Sequence, residues 1–212
     1  MKYFNYKGFF TREHVRSLVN ALILLALAVV FQYYASAYVN RVPSNSVADL
    51  FLSILPVVNL NLIIVEGALC AIGISILLIL AKPEYVLFTL KAAAIFIATR
   101  AVFISVTHIG IYPGGVNPDP TGIFDRTYTG LGLEAGFFFS GHTGLPFLMA
   151  LITWKEKFWR YVYLILSVVF GVAVLFAHVH YTIDVLAAPY MAYGIFKMSQ
   201  YFFADDWKMI ES

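Results

Sequence analysis

Ala177-His178-Val179-His180-Tyr181-Thr182-Ile183-Asp184-Val185 joins two long apolar runs, about 161–177 and 183–203. Two imidazoles and a carboxylate at such a junction must be paired or put to use, because burying unpaired polar groups costs several kcal/mol. In a helix, His180 and Asp184 lie four residues apart on one face. The carboxylate can then hold the imidazole Nδ1–H and leave Nε2 open to a partner. Two spanning helices with their polar groups at the joint are the reading from which the rest of the chain is built.

Working outward, the composition is that of a membrane protein. Of 212 residues, 61% are hydrophobic and 12% charged, where soluble domains carry about a quarter charged. The expected fold is all-α: a polytopic membrane protein with six transmembrane helices, both termini cytoplasmic, forming a single membrane-embedded catalytic domain over 1–212 with no room for a separate soluble domain. The formal charge of +2 is too small to point to nucleic acid, and no nucleic-acid partner is expected. Cys70 is the one cysteine, so it forms no intramolecular disulfide and packs as a small hydrophobe.

Five further apolar runs complete the expected topology. The first span, about 18–39, follows Lys2, Lys7, Arg12 and Arg16. It is longer than the roughly 7–15 apolar residues of a signal-peptide core, so an uncleaved span is expected despite the small residues Ala35-Ser36-Ala37. A helix lying at the membrane interface is expected over 48–58. The second span, about 62–81, contains Glu66; the third, about 85–106, contains Lys91 and Arg100. A long Gly-, Pro- and Asp-rich connection over 107–136 is expected to cover a site. The fourth span, about 137–154, opens with Phe139-Ser140-Gly141-His142-Thr143-Gly144.

Basic residues orient the bundle. With the N-terminus in the cytoplasm, Lys2, Lys7, Arg12, Arg16, Lys82, Lys155, Lys157, Arg160 and Lys208 share that side against Arg41 and Arg126 on the other, as the positive-inside rule requires. Arg100, His142, His180 and Asp184 then all fall near the outer surface, although they are far apart in sequence. The counting rested only on apolar runs and basic loops, so this shared depth is independent support for a common site.

The chemistry available there is phosphoryl transfer. An arginine fork matches phosphate oxygens and keeps its charge in apolar surroundings. His180, oriented by Asp184, can attack phosphorus through Nε2, while His142 protonates the departing oxygen. Ser140, Gly141 and the first N–H groups of the fourth helix can cradle the equatorial oxygens. Such a set needs no metal and no cofactor. A zinc site built on His178 and His180 is the rival, and a helix would turn those two to different sides.

These residues resemble a known family. Phe139-Ser140-Gly141-His142-Thr143, followed by His180-Tyr181-Thr182-Ile183-Asp184-Val185, is similar to the paired signatures of the sphingomyelin synthase branch of the type-2 phosphatidic acid phosphatase superfamily. Arg100 with Thr107 and Pro113 is similar to that family's arginine motif, and Asp49 with Leu55-Pro56 faintly resembles its first motif. The resemblance implies a six-helix enzyme with an extracytoplasmic site, acting on a phospholipid or lipid phosphate. A phosphohistidine would form at His180, with Asp184 as its orienting group, His142 as acid and base, and ceramide or diacylglycerol as acceptor. Two departures stand out. Glu134-Ala135-Gly136-Phe137 occupies the place where the synthases commonly carry an aspartate, and the phosphatase branch's arginine before the last histidine is absent from 173–179.

Three alternatives frame that reading. Water in place of a lipid hydroxyl would make the protein a lipid phosphate phosphatase. A membrane transporter would use Glu66, Lys91, Arg100 and the histidines to line a path, but should scatter them through the full depth. Structural polar groups at helix ends would do no chemistry. Elsewhere, His178 is expected as a satisfied interface histidine and His108 as a loop residue. Glu66 is expected to pair with Arg100. Lys91, half a turn from Arg100 and nearer the cytoplasm, should lie outside the site.

Overall fold

The computed structural model of the protein describes residues 11–42, 44–107, 109–116 and 137–211. Over these residues the fold is all-helical, with one isolated bridge between Asn45 and Ile109. The helices are α1 (Arg12–Val39), α2 (Gly67–Ala81), α3 (Val86–Val106), α4 (Gly141–Ile152), α5 (Lys157–Phe176), α6 (Thr182–Phe202) and the short α7 (Ala204–Glu211). A π-helical turn, Leu62–Glu66, leads into α2 and a 3₁₀ turn, Pro83–Tyr85, into α3.

Among the described residues, four helical segments are long and apolar enough to cross a membrane: Arg12–Val39, Leu62–Ala81, Pro83–Val106 and Lys157–Phe176. Their outward faces carry exposed apolar side chains such as Leu27, Leu77 and Val168, so the chain is an integral membrane protein. α6 has 21 residues, enough for about 30 Å, though it is less apolar. α4 is apolar but has only 12 residues.

The reason α4 is shorter than its apolar run lies at its start. Phe139 has φ 20° and Ser140 is extended, so helix begins only at Gly141. The Ser140 hydroxyl accepts from the Thr143 N–H at 3.4 Å, an N-cap worth about 1 kcal/mol. The Ser140 N–H itself donates to the Asp184 carbonyl at 2.8 Å, which pins the start of α4 to the first turn of α6.

α1 packs along α3, and α4 packs against α5 and α6. The largest buried cluster lies between α3, α4 and α6 and includes Phe88, Phe96, Phe139, Leu148 and Ile195. Gly144 lets α3 approach α4: a Cβ there would stand 2.7 Å from Phe96 Cζ. At the cytoplasmic end expected from the sequence, Lys91 is buried and hydrogen-bonds both Asp206 of α7 and Ser17 of α1. Lys91 therefore lies apart from the histidines, as expected, and the charged tail is a helix docked by an ion pair.

Segment 48–58 departs from the expected interface helix. It forms turns over 50–54, because Asp49 Oδ1 accepts the Phe51 and Leu52 N–H groups and closes an Asx-type turn. The other outer segment, 109–116, lies beside it; the Gly110 N–H donates to the Asn45 carbonyl at 2.9 Å. A Cβ on Gly110 would stand 2.8 Å from the Ser44 carbonyl oxygen. Lys2, Lys7, His108, Arg126 and Glu134, with most of the 107–136 connection, lie outside the described residues.

Candidate active site

The two histidine motifs meet. His142, one residue into α4, and His180, just before α6, stand with ring centroids 6.0 Å apart and ring planes at 68°. Arg100 reaches the same place from α3, since a Cβ on Gly141 would lie 3.8 Å from Arg100 Nε. Arg100 and His180 are both buried, and Asp184 has no exposed surface. His142, His180, Arg100 and Gly141 all face one cavity of ≈ 130 Å³. Among the described residues, no group of three or more His, Cys, Asp or Glu side chains is arranged to hold a metal ion.

Asp184 organises the His180 side of the cavity. Its Oδ2 lies 3.2 Å from His180 Nδ1 and accepts the Tyr181 N–H at 3.0 Å. The second bond belongs to a capping box at the start of α6. One carboxylate oxygen thus caps the helix and holds the imidazole with Nε2 directed away from it.

The approach to His180 is shaped by the end of α5. His178 adopts the left-handed conformation, φ 55°. Its N–H donates to the Leu175 carbonyl and the Val179 N–H to the Val174 carbonyl. This is a complete Schellman stop with His178 where glycine is usual. The His178 ring is buried edge-on to Tyr112, centroids 5.4 Å apart. Among the described residues neither ring nitrogen has a hydrogen-bond partner. The satisfied interface histidine expected from the sequence is therefore corrected: the residue serves through its backbone conformation and apolar packing.

Asp49 braces α6 from outside. Its Oδ2 accepts the Thr182 N–H at 2.7 Å and its Oδ1 the Thr182 hydroxyl at 2.8 Å. Burial raises the Asp49 carboxyl, but bonds from the Leu52 and Thr182 N–H groups, the Thr182 hydroxyl and the Phe51 N–H pull it below its ordinary value of 3.8. Tyr181, fully packed against Phe137, sends its hydroxyl to the Gly110 carbonyl at 2.8 Å and accepts the Val47 N–H at 3.2 Å. The segments on either side of His180 are thereby tied to both described outer segments.

Other expected groups are distributed differently. The Ser140 N–H is taken by the Asp184 carbonyl and its hydroxyl oxygen accepts from the Thr143 N–H, so of the expected cradle Ser140 keeps only its hydroxyl hydrogen to offer a ligand. Glu66 forms no ion pair with Arg100; its Oε2 is buried without a partner among the described residues. Instead the π-helical turn that contains Glu66 presents the Ile64 carbonyl to the His142 ring as a hydrogen-bond acceptor. No side-chain signature announces a backbone carbonyl, and this contact was invisible in the sequence.

Residues 136–201 match the family model described as PAP2 superfamily C-terminal. The PAP2 match covers both histidine motifs, Asp184 and nearly all of α6, about a third of the chain. It supports the type-2 phosphatidic acid phosphatase superfamily, and with it a lipid phosphatase or phosphotransferase type of enzyme acting on lipid phosphates. No curated protein and no solved structure matches the chain.

Proposed function

We infer that the protein is a sphingomyelin synthase-like phosphotransferase that moves a phospho-head group between lipids by double displacement through His180. The observation that carries this is the 6.0 Å separation of His142 and His180 with Asp184 hydrogen-bonded behind His180. One phosphorus fits between two imidazoles at that spacing, within hydrogen-bond reach of both.

In the first step His180 Nε2 attacks phosphorus. An N–P bond forms as the bond to the leaving oxygen breaks, and His142, protonated, gives that oxygen its proton. Asp184 holds Nδ1–H and stabilises the charge that develops on the ring. Arg100 and the Gly141 N–H bind the remaining phosphate oxygens. In the second step neutral His142 takes the proton of an incoming hydroxyl, whose oxygen displaces His180 from phosphorus. The apolar cavity around the histidines supports a lipid hydroxyl, from ceramide or diacylglycerol, over water as acceptor. With water the same steps make a lipid phosphate phosphatase.

The reading has six spans and a site facing the periplasm, lumen or exterior, supported by the concentration of basic residues on the opposite side. α4 spans only ~18 Å of the ~30 Å hydrocarbon layer. Its first turn can then lie at the floor of an outer depression that a head group enters. The test is to incubate purified protein with head-group-labelled phospholipid, with and without ceramide or diacylglycerol, and separate the products. Label in the acceptor lipid is expected; water-soluble label instead would make the enzyme a hydrolase. Full activity surviving His180→Ala would overturn the mechanism.

A further inference from the structure

The cavity that begins at His142 and His180 does not end there. It runs inward between α2, α3, α4 and α5 as far as Met149 of α4 and Ser75 and Tyr163 of α2 and α5. From His142 to Met149, helical rise gives a depth of ~10 Å. The face that α2 turns to it carries Ala68, Ala71 and Ser75, spaced three and four residues apart on one side of the helix. These small side chains leave the space open, and Phe96 and Phe170 line its opposite walls. At the inner end the Ser75 and Tyr163 hydroxyls hydrogen-bond to each other at 2.8 Å, and the Ser75 hydroxyl lies 2.8 Å from the Ala71 carbonyl. The two polar groups satisfy one another and cross-link α2 to α5.

We propose that this cavity takes one hydrocarbon chain of the lipid whose phosphorus lies at His180, and that the Ser75–Tyr163 pair is the floor that limits its length. The proposal rests on the phosphotransferase reading, which fixes the polar end of the ligand at the histidines. Charged and polar groups occur at the mouth, and walls that are mostly apolar, with the Gln32 amide of α1 among them, continue inward to Ser75 and Tyr163. A chain seated there belongs to the leaving alcohol in the first step and to the acceptor in the second, because both oxygens occupy the position beside His142. A tail held inside the bundle is measured against a fixed stop; one left in the bilayer is not.

The test uses the full chain in detergent, a homologous series of n-alkyl phosphates, p-nitrophenyl phosphate, and an alkyl phosphate with a diazirine at its chain end. For the wild type, kcat/KM is expected to rise about fourfold per methylene until the chain reaches the floor, then to stop rising. Tyr163→Leu should move that break to longer chains. Independently of turnover, photolysis should label peptides containing Ser75 or Tyr163. Release of p-nitrophenol together with label on the outward faces of α1 or α5, or a profile without a break, would overturn the proposal and leave the phosphotransferase reading standing. Photolabel confined to the outward faces overturns the proposal whether or not these monoesters are consumed; failure to consume any of them, together with head-group-labelled phospholipid left intact in the presence of ceramide or diacylglycerol, would overturn both.

Discussion

Asp184 Oδ2 lies 3.2 Å from His180 Nδ1 and accepts the Tyr181 N–H at 3.0 Å, so one oxygen orients the imidazole and caps the helix that follows it. Asp184→Asn can keep the cap while exchanging the acceptor that fixes the His180 tautomer. A loss of about three to four orders of magnitude in kcat is expected, with a melting temperature near that of the wild type. Comparable loss of helical signal at room temperature would show that the cap, not the tautomer, had failed.

His142 and His180 should separate kinetically. On the proposed mechanism, replacing His142 by Ala removes the general acid and base, with a loss of about two to four orders of magnitude on lipid substrates. p-Nitrophenolate needs little protonation to leave, so the first step on p-nitrophenyl phosphate should survive while the second slows. Acid-labile label should accumulate on the protein in His142→Ala and be absent in His180→Ala, as read by rapid quench with ³²P substrate.

His178 offers a contrast between backbone and ring chemistry. Its left-handed backbone favours glycine, and the conformation costs other residues ~1–2 kcal/mol. His178→Gly should therefore remain active with stability within about 1 kcal/mol of wild type, the relieved backbone offsetting lost packing on Tyr112. His178→Val, β-branched at positive φ, should melt well below it. Thermal denaturation in detergent with parallel activity measurements checks both; an inactive, stable His178→Gly would restore a chemical role to the ring.

Asp49 makes stability depend on acid. Its carboxyl lies below 3.8 in the folded protein, so its contribution is complete above that ordinary value and is lost as pH falls through the lowered one. Asp49→Ala should destabilise by about 0.5–2 kcal/mol at neutral pH, and the gap to wild type should close below about pH 4. Melting curves across pH test this, and a gap independent of pH would sink it.

The buried Lys91–Asp206 pair should behave as a unit. Asp206→Ala strands a buried ammonium and should cost about 3–5 kcal/mol, while Lys91→Met combined with Asp206→Leu should recover much of that loss. A double-mutant cycle by thermal denaturation measures the coupling, and additive single effects would mean that the tail helix is not latched this way.

Much of the site was legible because polar residues inside apolar runs are conspicuous. Arg100, His142, His180 and Asp184 had to be accounted for, and basic loops gave all four one depth; the cavity brings the first three together, with Asp184 behind His180. Contacts made by the backbone were not legible. The Ser140 N–H was expected to bind a ligand, yet a carbonyl from a later helix takes it. The Ile64 carbonyl owes its role to a single π-helical turn in a run of aliphatic residues. Asp49 had a faint motif, but its reach of 133 residues to Thr182 is tertiary information. The helix expected over 48–58 yielded to the same side chain, whose local turn competes with helical hydrogen bonding. The end of α5 was placed within a residue of Phe176, but with no glycine at His178 the left-handed turn that makes the stop was not legible.

The bond from the Ser140 N–H to the Asp184 carbonyl joins main chain to main chain, so the link between the starts of α4 and α6 does not pass through the imidazoles of His142 and His180. Variants stripped of His142 or His180 should keep the vise while losing the tool. Such inert forms are suited to being seen in mid-reaction, the donor lipid held intact in His180→Ala and the conjugate formed from p-nitrophenyl phosphate stalled in His142→Ala.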